Sequence, residues 1–184
     1  MEHILTDIFL YFAKFPARTG LKAMATMGSS PMPEYADVLG MLDSLEETGL
    51  FPDIDNYVYA QSFEDLQGRL AKLRGSFLMV DFGECSFQEV HPNRIRSAQR
   101  IAVTVAMKPG DRIDMLGRMI VSDRCLSLVS GIYRRMLTDA DGGSVSWADR
   151  RCLLDAEMVP FVSEELGAYG WTLLAEASTV GMVR

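Results

Sequence analysis

The sequence contains few of the residues that usually carry chemistry at an active site. Only two histidines occur, His3 and His91, and neither has a cysteine or another histidine at the spacing of a zinc site. Without a positioned base, a serine or cysteine nucleophile has no evident activator. The glycine-rich motifs that cradle phosphates are absent as well. We therefore expect no metal, no cofactor and no enzymatic activity.

Paired cysteines and long apolar runs are also missing. Cys85, Cys125 and Cys152 are an odd number at wide spacing, which favours reduced thiols and a cytosolic setting. No stretch reaches the roughly 18 uncharged apolar residues of a membrane helix. Glu2 and Asp7 stand where a signal peptide has basic residues. These absences predict a cytoplasmic protein with no membrane partner.

Positive charge is scarce. The chain has 18 Lys and Arg residues but 25 Asp and Glu residues, which gives a net charge of -7. An acidic surface repels phosphate backbones, so we expect no nucleic-acid partner.

The length of 184 residues suits a single domain, with a helical N-terminal part over residues 1–50 and a sheet-containing core over 55–184. Twelve methionines, whose side chains adapt to partner surfaces, favour association with other proteins.

The spacing of apolar side chains predicts several helices, the first of which ends near Pro16. Ser62 and Asp65 predict the capped start of a later helix. Ser122 either caps the last predicted helix or lies within one long helix. The predicted helices are Ile4 to Phe15, Leu21 to Met27, Val38 to Leu45, Phe63 to Leu73, Ile113 to Ile120 and Leu126 to Leu137.

Strands are predicted from continuous or alternating apolar runs. Residues 98–107 alternate strictly, with large side chains on one face and small ones on the other. Residues 83–97 are polar and form a connecting loop or a hairpin arm. The fold class is therefore α+β, a mainly antiparallel sheet of four or five strands with helices packed on one face. The predicted strands are Tyr57 to Tyr59, Ser76 to Phe82, Ala98 to Met107, Cys152 to Val162 and Tyr169 to Thr179.

One basic stretch stands out in this acidic chain. It is either a solvated strand edge or a contact for an acidic partner surface. If the partner were a neighbouring copy, such a head-to-tail contact could close into a ring. We expect these residues to contact protein: Arg94, Arg96, Arg100, Lys108 and Arg112.

Three acidic residues cluster near the end of the buried strand predicted at 76–82. Asp81, Glu84 and Glu89 could perform acid–base chemistry if the fold gathered them in a cleft. A hydrolase that uses these carboxylates is therefore a less favoured alternative.

Residues 76–137 carry a family resemblance. A buried strand, Phe77 to Phe82, leads into a polar arm, then into the alternating strand Gln99 to Ala106, and then into an amphipathic helix. This order resembles small tail-completion or head-to-tail joining proteins of tailed phages, as found in Bacteroides-type prophages. The resemblance implies an α/β sandwich whose copies form a ring at the end of the tail tube, and it brings no catalytic residue.

The leading functional expectation is thus a non-enzymatic assembly protein. Its partners would be its own copies or other phage structural proteins. The alternative is a module that binds a protein or a small ligand in an unidentified pathway.

Overall fold

The computed structural model describes residues 4–25, 30–60, 68, 70–91, 94–110, 113–145, 147, 148 and 150–179. The strands are β1 (Asn56–Ala60), β2 (Gly75–His91), β3 (Arg94–Lys108), β4 (Glu157–Ser163) and β5 (Ala168–Thr179). The helices are α1 (Ile4–Ala13), α2 (Arg18–Ala25), α3 (Glu34–Asp43), α4 (Met115–Asp141) and α5 (Arg150–Leu154). Within these ranges, no helix combines the length and the apolar character needed to cross a bilayer.

The described strands form a five-stranded sheet in the order β1-β2-β3-β5-β4. The expectation of an α+β fold is confirmed, and most strand pairs are antiparallel. The sheet is nevertheless mixed, because β1 pairs with β2 in parallel. A parallel pair needs a crossover connection, and the segment between Ala60 and Gly75, which contains the helical residues Gly68 and Leu70, provides it.

The structure changes one sequence-based assignment and decides between the alternatives that the sequence left open for two others. The polar residues 83–97 are a hairpin arm and not a loop, because β2 and β3 continue to pair there beyond a bulge between Phe82 and Cys85. Cys152 lies in α5, so the strand predicted from that residue begins only at Glu157. The apolar stretches at 113–120 and 126–137 belong to one helix, capped by Asp114 and not by Ser122. The proposed cap at Ser62 and Asp65 lies outside the described residues.

The five helices with described bounds pack on one face of the sheet, whereas the helical residue Leu70 of the crossover segment packs on the other face. Odd-numbered residues of β3, such as Val103 and Val105, point into this main core, as the alternating pattern predicted. Helix α4 lies across β3 and β5. The five described helices all contribute buried apolar side chains to this core, among them Ile8, Leu21, Leu42, Val129 and Leu153.

Among the described residues, the opposite face of the sheet is covered at one end only. There a second cluster joins Phe77 and Met79 of β2 to Ala106 of β3, beneath Leu70 and Leu166. In the middle of this face, the hydroxyls of Thr104 and Thr172 share a hydrogen bond of 2.8 Å. Beyond that pair, Leu174 is 40% exposed. The other end of this sheet face therefore remains accessible in the described part of the chain.

Helix α4 is fixed at its C-terminal end by a largely buried carboxylate, Asp139. The Oδ2 atom of Asp139 accepts hydrogen bonds from Lys14 Nζ at 2.6 Å and from Tyr11 Oη at 2.9 Å, both on or next to α1. Arg135 donates to Oδ1 at 2.7 Å and also reaches Glu47. The side chains of Lys14 and Asp139 are only 12% and 8% exposed. One carboxylate thus joins α1, α4 and the segment after α3.

The hydrogen bonds to Asp139 determine its titration. Burial alone would raise its pKa, but the hydrogen bonds from Lys14, Arg135 and Tyr11 outweigh burial and lower the pKa below its usual value. Burial and the bond to Asp139 raise the pKa of Tyr11, so Tyr11 remains a donor. Lys14 Nζ lies 3.9 Å from the centre of the Tyr11 ring, which adds a cation–π contact.

Asp139→Asn should lower the free energy of unfolding by about 3 kcal/mol at pH 7, because it leaves Lys14 and Arg135 without their counter-charge. Folding lowers the pKa of this carboxylate, so the carboxylate stabilises the fold fully at pH values above its unfolded pKa of about 3.9. The stabilisation is lost as the pH falls through the lower pKa of the folded state. Urea unfolding at neutral and acidic pH measures this, and the difference between wild type and variant should shrink below about pH 4.

Asp141→Asn is the matched control for this experiment. Asp141 lies on the same helix and pairs with Arg150, but both side chains are about half exposed. Exposed ion pairs contribute little, so this variant should unfold nearly as the wild type does. Equal losses in the two variants would contradict a special role for Asp139.

Candidate functional site

The open end of the sheet face forms an acidic groove, with a volume of about 510 Å³. The strand register places Asp81, Ala102, Leu174 and Glu157 in one row across β2, β3, β5 and β4. Neighbouring strands lie about 4.8 Å apart, so the two carboxyl-bearing residues are about 14 Å apart at their Cα atoms. The row thus has an apolar centre between two acidic ends.

A second row deepens the acidic character of the groove. Arg100 of β3 pairs with Glu176 of β5, and Asp155, which precedes β4, also lines the groove. The groove therefore collects four carboxylates, those of Asp81, Asp155, Glu157 and Glu176, around one guanidinium group. Arg100 partly balances this charge.

Asp81 differs from the other acids of the groove in having a buried carboxylate oxygen. Its Oδ1 atom is inaccessible to solvent and has no hydrogen-bond partner among the described residues. Burial raises the pKa of its carboxyl group. Glu84 and Glu89, the other members of the acidic cluster predicted from the sequence, follow on β2, but their side chains lie outside the described part. The carboxylates that the fold brings to the same groove as Asp81 come instead from Glu157 of β4, Glu176 of β5 and Asp155, two residues before β4.

The structure does not bring together the described residues of the basic stretch that was predicted to contact protein. Arg94 and Arg96 lie on β3 near the end of the hairpin, where side chains are not described, and Arg112 lies outside the described residues. Arg100 lines the acidic groove, whereas Lys108 lines a different cavity at the far end of β3. Eight residues of strand separate these two by about 26 Å. Arg100 and Lys108 therefore do not share one patch.

Among the described residues, the largest group of neighbouring exposed apolar side chains lies on the first turns of α4. Met115, Leu116, Met119 and Ile120 are exposed by 79%, 58%, 61% and 63%, and we call these four residues the α4 surface. They occupy positions i, i+1, i+4 and i+5, which are neighbours on one side of a helix. The apolar spacing of Leu116, Met119 and Ile120 predicted a helix here, and the helix is present with these three side chains exposed. The buried side chains of α4 begin only at Val121.

The edge strand β4 adds apolar surface near α4. The hydroxyl of Ser130 on α4 donates a long hydrogen bond, of 3.8 Å, to the Sδ atom of Met158 on β4. The face of β4 that carries Met158 is therefore the one beneath the helix. Strand alternation puts Pro160 and Val162 on this face too, and Val162 is 62% exposed. Its register partner Tyr169 lies under Arg118 of α4. The α4 surface and β4 thus belong to the same side of the molecule.

Within the described residues, no group of three or more His, Cys, Asp or Glu side chains has an arrangement that could hold a metal ion. Comparisons with known proteins found no matching family model, no matching curated protein and no matching solved structure.

Asp81→Asn should stabilise the fold at pH 7, by up to about 1 kcal/mol, because a neutral amide costs less to bury than a carboxylate without a partner. Since folding raises the pKa of this acid, the cost appears above its unfolded pKa of about 3.9 and is absent in more acidic solution. The advantage of the variant should therefore vanish below about pH 4, as measured by urea unfolding.

Glu157→Gln serves as the control at the other, exposed end of the row, and should change stability little. An Asp81→Asn variant no more stable than wild type at pH 7 would show that the Asp81 carboxylate has a partner after all.

Proposed function

We propose that this chain is a non-enzymatic assembly protein that acts by packing against other protein surfaces, in the first place against a second copy of itself. The observation that carries this proposal is the α4 surface. Monomeric proteins seldom expose contiguous apolar patches of large side chains, and such patches often mark protein contacts. Two of the four residues are methionines, which adapt readily to a partner surface.

The net charge of the chain favours this surface as the place where two copies meet. Each copy has a formal charge of -7, so contacts between polar surfaces of two copies would mostly oppose like charges. The four residues of the α4 surface carry no charge, and burying them removes apolar area from water. Two acidic copies therefore lose least and gain most when they meet at α4.

The setting we propose is the assembly of a tailed phage, as a tail-completion or head-to-tail joining component. The order of elements that suggested this family supports the proposal: a buried strand, a hairpin arm, an alternating strand and a long helix, followed by two late strands. Joining proteins of this kind act as rings, and in a ring the α4 surface of one copy would pack on a different surface of the next copy.

Ile120→Glu should convert the assembled protein into a monomer, because it places a charge at the centre of an apolar contact that would have to be desolvated. Light scattering coupled to size-exclusion chromatography, run at several protein concentrations, gives the mass. We expect wild type to have a mass of two or more chains, and Met119→Glu to behave like Ile120→Glu.

The matched control is Arg134→Glu, a charge change at an exposed residue further along the same helix. This variant should retain the wild-type mass. A wild-type protein that remains monomeric at high concentration would refute the proposal. Variants at residues 119 and 120 that keep the assembled mass would show that the copies meet elsewhere.

A further inference from the structure

A second cavity, of about 810 Å³, opens at the end of the sheet where β3 stops and α4 begins. The register pairs Gly75 with Lys108 and Met107 with Tyr169, so the start of β2, the end of β3 and the start of β5 meet at this edge. Turns with left-handed glycines border it, including Gly110 (φ 96°) and Gly167 (φ 59°). A Cβ atom at either glycine would meet nothing within 4 Å, so the turns leave open space beside the cavity.

Three basic side chains line this cavity, which we call the basic cavity. Arg74 precedes β2, Lys108 ends β3 and Arg118 lies in the first turns of α4. No acidic residue is among the described residues that line it, although acidic residues outnumber basic ones in the chain by 25 to 18. Three segments that are distant in the sequence thus bring positive charge to one cavity of a protein whose net charge is -7.

The three cations have no carboxylate partner among the described residues. Within the described part of the chain, none of them is in a salt bridge. Lys108 donates to the backbone carbonyl of Leu70, and burial lowers its pKa. The Arg118 guanidinium lies 5.1 Å from the centre of the Tyr169 ring, which orients it without neutralising its charge.

The nearest described acids have other placements. Asp114 caps α4 by accepting a hydrogen bond from the backbone N–H of Gly117 at 2.8 Å. Glu164 and Glu165 lie in the turn before Leu166 and are exposed, and neither lines the cavity. The positive charge of the cavity is therefore not cancelled from within by any described side chain.

We propose that the basic cavity binds a small organic phosphate. The phosphate group would sit among Arg74, Lys108 and Arg118, because guanidinium groups bind phosphate oxygens in a two-pronged geometry and an ammonium group adds a point charge. The volume lies within the range of small-molecule sites and exceeds what a bare phosphate fills. Leu73, Ile113 and Tyr169 supply an apolar wall for the organic part.

Isothermal titration calorimetry at low ionic strength tests this proposal, with inorganic phosphate and phenyl phosphate as probes. We expect saturable binding of both probes, with phenyl phosphate the tighter because its ring contacts the apolar wall. Arg74→Gln and Arg118→Gln should each weaken binding about tenfold or more, the effect of losing one charge-assisted hydrogen bond. Arg134→Gln removes an exposed arginine of α4 far from the cavity and should bind as wild type does.

Three results would overturn the proposal. The first is no saturable heat with either probe. The second is equal affinity of wild type, Arg74→Gln and Arg118→Gln, which would place any bound phosphate elsewhere. The third is binding of a single-stranded oligonucleotide without binding of either small phosphate, which would make the cavity part of a nucleic-acid surface. Equal affinities for the two probes would refute the contribution of the apolar wall.

Discussion

The position of α4 depends on one buried carboxylate. Asp139 holds the C-terminal end of the helix against α1 through Lys14 and Tyr11, while Arg135 connects it to the segment after α3. A helix of 27 residues is about 40 Å long, so fixing one end and packing the middle on the sheet determines where the other end projects. That other end provides both the α4 surface and Arg118 of the basic cavity. The two functional proposals therefore share one structural cause.

The sheet separates the charged sites by its geometry. Arg100 and Lys108 belong to one strand, yet the first lies among carboxylates and the second among cations, because different strands and turns border the two ends of β3. On the same sheet face, the Thr104–Thr172 pair closes the middle and the second apolar cluster covers the end near Lys108. An acidic chain can in this way hold a local basic site that its composition does not reveal.

Local patterns predicted the strands better than the sites. The alternation of β3 predicted which of its residues enter the core, and the buried run of β2 was equally clear, since both signals lie within a few neighbouring residues. The exposure of Met119 and Ile120 was not predictable, because helical spacing does not say whether a helix extends past the surface that it covers. Arg74 and Arg118 carried no signal at all, as only the tertiary fold brings them to Lys108.

Methionine oxidation tests most directly whether α4 is the contact between copies. Met115 and Met119 are 79% and 61% exposed in a single chain, and Met32 and Met41, at 62% and 50%, serve as internal references away from α4. With a mild oxidant and peptide mass spectrometry, the rates at Met115 and Met119 should fall as protein concentration rises, while those at Met32 and Met41 stay constant. Rates at all four methionines that do not change with concentration would contradict the account.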